Sequence, residues 1–100
     1  MKIKTKLENQ GQSFTMELIG DFCFHDVDDF KEACDNEAQY SSVTIDMRNV
    51  STIDSSALGA LLNFKRQKGC ADQAIKIQNC NPIVKKIFQV SGFNKLFSVE

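Results

Sequence analysis

The sequence is short of most features that would announce a metal site, a membrane or a nucleic acid. It has a single histidine, His25, and its four cysteines (Cys23, Cys34, Cys70 and Cys80) include no Cys-x-x-Cys pair. Zinc sites draw on ligands paired at short spacing, so no metal or other cofactor is expected, and the thiols read as reduced, small apolar side chains. An excess of one charge is also missing: 12 Lys and Arg stand against 13 Asp and Glu, for a net charge of −1. Nucleic acids and anionic membrane surfaces both call for a basic footprint, so neither is expected as a partner. No apolar run approaches the length of a bilayer span. The start, Met1-Lys2-Ile3-Lys4-Thr5-Lys6, alternates and lacks the apolar block of a secretory signal. A cytoplasmic protein with no direct membrane insertion is the expectation. Repeats, linkers and low-complexity segments are absent as well.

What is present suffices for a core. One hundred residues that are 42% hydrophobic and 25% charged read as one domain over residues 1–100, able to fold without staples.

Two periodicities divide the chain. Ile3, Thr5 and Leu7 alternate with lysines at 2, 4 and 6, and Phe14, Met16 and Leu18 alternate within Ser13 to Ile19. Two strands joined by a turn around Asn9 and Gly11 form an antiparallel hairpin. Val27, Phe30 and Ala33 or Cys34 then recur at helical spacing, predicting a helix from His25 or Asp26 to Ala38. Asp26, Asp28 and Asp29 load its first turn, where the helix dipole favours acid. Ser42 to Met47 is a third strand, with Val43, Ile45 and Met47 on one side. A second helix is expected from Ser56 to Lys68, its stripe marked by Ala57, Leu58, Leu61 and Leu62 and stopped by Gly69. Ile75 and Ile77 mark a short fourth strand over Ala74 to Gln78. Asn81 followed by Pro82, the only proline, is a helix-start signal. The third helix is expected to bury Ile83, Ile87 and Val90 and to end at Ser91-Gly92, with a last strand at Leu96 to Val99. After the hairpin, strands alternate with helices, and parallel neighbours joined through helices follow. The expected fold class is α/β: a mixed sheet, hairpin first and parallel strands after, with the helices packed mainly on one face.

The stretch Ile53-Asp54-Ser55-Ser56-Ala57-Leu58-Gly59 lies where strand gives way to helix. A helix N-terminus leaves about four N–H groups without internal partners and carries roughly half a positive charge, so it favours an anion. Ser55 taken as the N-cap would contribute about 1 kcal/mol. A cap does not require two serines in a row, nor the neighbouring Asp54, which could cap equally well. A phosphate there would add a charge of roughly −1.5 to −2. The fold should tolerate it, because the free N–H groups hold part of the charge. A partner docked on this surface should not, since an unpaired charge forced into an interface costs several kcal/mol.

Asp54-Ser55-Ser56-Ala57-Leu58-Gly59 resembles the phosphorylation motif of STAS domains, in particular the anti-sigma factor antagonists of bacteria. Leu18-Ile19-Gly20-Asp21-Phe22 is similar to that family's Gly-Glu-Leu-Asp segment. Asn81-Pro82-Ile83-Val84-Lys85-Lys86-Ile87-Phe88, followed by Ser91-Gly92-Phe93, is similar to its last helix. The resemblance covers nearly the whole chain. It implies a non-enzymatic binding protein whose first serine after the aspartate, here Ser55, is phosphorylated by a partner that is both serine kinase and anti-sigma factor. Ser56 is the second choice. A PP2C-type phosphatase would reverse the modification, and only the unphosphorylated form would hold the kinase. The implied partner surface is Asp21, Asp54, Ser55, Ser56, Leu58 and Gly59. Two positions depart from the family pattern: Ala57 replaces a glycine, and Cys23 stands where an aspartate is usual, which would shift part of its role to Asp21 or Asp26.

Two other readings compete. Ser55, His25 and Asp26 could meet at one sheet edge as a hydrolase triad, but the Gly-x-Ser-x-Gly elbow is absent. Stand-alone STAS proteins also resemble small subunits that bind the ATPase of lipid-transport ABC systems, where phosphorylation is not the switch.

Overall fold

A computed structural model describes residues 1–35 and 40–100. In it, β1 (Lys2–Glu8) and β2 (Ser13–Ile19) form the hairpin, followed by α1 (Val27–Cys34), β3 (Ser42–Asn49), α2 (Ser55–Gln67), β4 (Ile75–Gln78), α3 (Pro82–Val90) and β5 (Ser98–Val99). The sheet order is β1-β2-β3-β4-β5, antiparallel between β1 and β2 and parallel from there on. The expected fold class, a mixed α/β sheet opened by a hairpin, is what the structure shows.

Alternation on the strands decides which face is covered. Met16 on β2 lies beside Ile45 on β3, which lies beside Ile77 on β4, and all three are fully buried. The residues between them build the opposite, polar face, where Lys4, Glu17, Asp46 and Gln78 stand in one row across four strands. The helices therefore pack on one side. Phe30 of α1 lies edge-on to Phe64 of α2, with ring centroids 6.0 Å apart. Burying such side chains stabilises the domain by roughly 1.5–3 kcal/mol each.

Element ends follow local chemistry. α2 stops in a Schellman turn: Gly69 at φ 64° donates to Arg66 O, and Cys70 donates to Lys65 O. A short 3-10 turn, Phe24–Asp26, precedes α1 and takes up the predicted first helical residues. α1 ends at Cys34, and the rest of the predicted helix, residues 36–38, lies outside the described residues.

α3 corrects the sequence reading. It buries Val84 and Phe88, not Ile83 and Val90, which are 63% and 76% exposed, while Ile87 is half-buried. The helix is rotated by about one residue from the expected stripe. The larger ring decides the rotation: Phe88 stacks on Phe93, and Phe93 on Phe97, at centroid distances of 6.3 and 5.7 Å.

Candidate functional site

Three loops meet at the C-terminal ends of the parallel strands, and three side chains stitch them together. Asp54 is the N-cap of α2: its Oδ1 accepts from Ala57 N–H at 3.0 Å. Its Oδ2 accepts from Phe24 N–H, also at 3.0 Å, in the loop between β2 and α1. Asn81 works the same way at α3. Its Oδ1 accepts from Val84 N–H at 2.8 Å, while its Nδ2 donates to Val50 O and Ser51 O at 3.1 and 3.0 Å. Asp26 closes the set. Its Oδ2 accepts from Cys23 N–H and its Oδ1 pairs with the Met1 ammonium, both at 3.0 Å. Each side chain holds a helical turn with one atom and a neighbouring stretch of chain with another. A parallel bridge between Phe22 and Ile53 locks the first two loops side by side.

The cap assignment therefore changes from Ser55 to Asp54. Asp54 has extended backbone angles, φ −115° and ψ −177°, and Ser55 is the first helical residue. Ser55 is exposed, and its hydroxyl makes no hydrogen bond among the described residues. A serine relieved of capping is available for chemistry. Ser56 and Leu58 are half-buried, and Gly59 is exposed one turn further on. Asp21 is exposed and makes no side-chain hydrogen bond or ion pair among the described residues.

Asp21 and Asp26, the two carboxylates that could stand in for an aspartate at the Cys23 position, separate in the same way. Asp26 is engaged, and the Cys23 N–H first, then the Met1 ammonium, hold its carboxyl below its ordinary value against a desolvation that works the other way. Burial pushes the Cys23 thiol up, helped by Asp54 and Asp21, so it stays a neutral thiol. Cys34 and Cys80, more deeply buried, are pushed up to about 12 and about 11. All four cysteines are free. The hydrolase geometry does not assemble. His25 is exposed with its ring edge-on to Phe24, Asp26 is committed to Cys23 and Met1, and no hydrogen bond joins His25 to Ser55 among the described residues.

Sequence reasoning missed Phe24. It is 71% exposed, carried by the loop that Asp54 holds, and it lines a groove of about 720 Å³ between α1 and α2. Ser56 and Gly59 line the same groove; Ser55 does not. The only sequence signal was a large apolar residue between a loop and a run of aspartates.

A five-stranded mixed sheet with helices on one side defines a small α/β domain, with Asp54 capping α2 and Ser55 exposed at its first position. A sequence model of the STAS domain matches residues 4–100, and the chain belongs to that family. It is 37% identical over 90 residues to a STAS-domain containing protein of Pseudomonas aeruginosa strain UCBPP-PA14, covering 89% of each chain. Its fold is similar to that of an anti-sigma factor antagonist from Mycobacterium paratuberculosis, with a TM-score of 0.78 at 16% identity over 98% of this chain and 85% of that one. It is also similar to the Bacillus cell fate determinant SpoIIAA in its phosphorylated form, with a TM-score of 0.65 at 20% identity over 99% and 91%. No helix among the described residues is long and apolar enough to cross a membrane.

Proposed function

We propose that this STAS domain is a phosphorylation-switched binding protein rather than an enzyme. The unphosphorylated form binds a serine kinase that doubles as an anti-sigma factor, phosphorylation of Ser55 releases that partner, and a PP2C-type phosphatase restores binding. The observation that carries the reading is the division of labour at the start of α2: Asp54 caps the helix and leaves the Ser55 hydroxyl exposed and without a hydrogen bond among the described residues. A phosphate on Ser55 would sit at the positive end of the helix dipole, so the backbone has no need to move. It would also stand beside the Asp54 carboxylate, which repels it and keeps its charge directed at the partner. Asp21, Ser56, Leu58 and Gly59 complete the surface that the partner reads. The fold shared with a protein solved in its phosphorylated form supports the same reading.

The test compares two baits, Ser55→Ala and Ser55→Asp, against the cytoplasm of the source cell. A kinase of the histidine-kinase-like serine type is expected to be retained by the alanine bait and lost from the aspartate bait. Capture of an ABC ATPase by both baits alike would replace this reading with the lipid-transport one.

A further inference from the structure

We propose that the groove between α1 and α2 seats an acidic amphipathic helix of a protein partner. This rests on reading the start of α2 as a protein-binding surface, and it adds where the partner lies and what chemistry it carries. The groove follows a helical stripe on each wall. On α2 the stripe runs through Ser56, Gly59, Asn63 and Arg66; on the other side it runs from Phe24 through Val27 to Lys31. Ten residues of α2 separate its ends, about 15 Å at the helical rise, which is roughly three turns of a docked helix.

The two ends differ in chemistry. Near Ser56 the lining is mainly apolar, with the exposed Phe24 ring and Val27 beside His25, and Leu62 follows further along α2, one turn before Arg66. At the far end stand two cations, Lys31 and Arg66, and neither forms an ion pair among the described residues. The groove's own carboxylate, Asp28, lies one turn nearer the apolar end than Lys31. The floor between the ends is Gly59 and Ala60, and a Cβ at Gly59 would meet no atom within 4 Å. Small floor residues let another helix approach closely, the apolar end anchors its Leu- or Ile-like side chains, and Lys31 and Arg66, without an ion pair among the described residues, select acid at its other end. Because Ser56 lines the groove and Ser55 is next to it, a helix seated here reaches the proposed switch.

The test titrates the isotope-labelled full chain with two synthetic amphipathic helices that share one apolar stripe, one carrying glutamates where the other carries lysines. The amide resonances of Phe24, Val27, Lys31, Gly59, Leu62 and Arg66 are expected to move with the acidic peptide, which binds about tenfold more tightly than its basic twin. The double variant Lys31→Glu/Arg66→Glu should invert that preference. Gly59→Gln, which fills the floor and removes a helix-weakening glycine, should block both peptides while the fold persists. Absent shifts, equal affinity for the two peptides, or shifts on the polar sheet face around Lys4, Glu17 and Arg48 would overturn the proposal. Failure here, with Ser55→Asp still releasing the kinase, removes the docking mode and leaves the switch. Success here, with Ser55→Asp and Ser55→Ala holding the kinase equally, removes the switch and leaves the docking mode.

Discussion

Asp54 Oδ2 accepts a hydrogen bond from the backbone N–H of Phe24 at 3.0 Å, across 30 residues of sequence. The other oxygen of the same carboxylate caps α2. One side chain thus sets both the start of the helix that carries Ser55 and the position of the exposed ring beside it.

Removing that carboxylate should loosen both. Asp54→Ala is expected to destabilise the domain by about 2 kcal/mol, from a lost cap and a lost charge-assisted bond. The Phe24 amide should exchange with solvent faster in the variant than in the parent chain. Denaturant unfolding and hydrogen exchange measure the two effects separately.

Ser55→Ala should be nearly silent in the same unfolding experiment, within about 0.5 kcal/mol, because Ser55 caps nothing and alanine suits a first helical position. A loss of 1 kcal/mol or more would return the cap to Ser55. Asp54, Ser55 and Ser56 are all competent caps, and sequence alone ranks them equally. The backbone of Phe24, far away in the chain, selects Asp54.

Acid should expose the role of Asp26. Its carboxyl is held below the ordinary value of 3.8, chiefly by the Cys23 N–H. A depressed native value means that the contribution is complete above the unfolded value and disappears as pH falls through the native one. Asp26→Asn should therefore be less stable than the parent chain at neutral pH, with the gap closing below about pH 4. A gap that stays constant down to acid pH would contradict the assignment.

On α3, Phe88→Ala should cost about 3–4 kcal/mol, whereas Ile83→Ala and Val90→Ala should each stay within about 0.5 kcal/mol. Thermal or denaturant unfolding of the three variants decides. The sequence could not separate the two stripes. Ile83, Ile87 and Val90 recur at helical spacing, and so do Val84 and Phe88 one position on. Only the stack of Phe88, Phe93 and Phe97 ranks them.

The strands were far more legible. Phe14, Met16 and Leu18, then Val43, Ile45 and Met47, alternate at the period of the sheet, and each of these side chains is buried. The helix starts were legible as chemistry too, Asn81-Pro82 most plainly, since Asn81 caps α3. What lay beyond reach was pairing across the chain: Asn81 with Val50 and Ser51, Asp54 with Phe24, and the groove that Phe24 shares with Ser56. No local pattern encodes contacts made between loops that only the fold brings together.

The proposed switch is a phosphate on Ser55 that breaks partner binding. The direct measurement incubates the parent chain with its cognate kinase and ATP, maps the modified peptide by mass spectrometry, and compares the affinity of modified and unmodified protein for that kinase. One phosphate, on Ser55, is expected, with a loss of affinity of at least about a hundredfold, the scale of an unpaired charge at an interface. Phosphate on Ser41, Ser51 or Ser91 with Ser55 untouched, or equal affinity of the two forms, would contradict it.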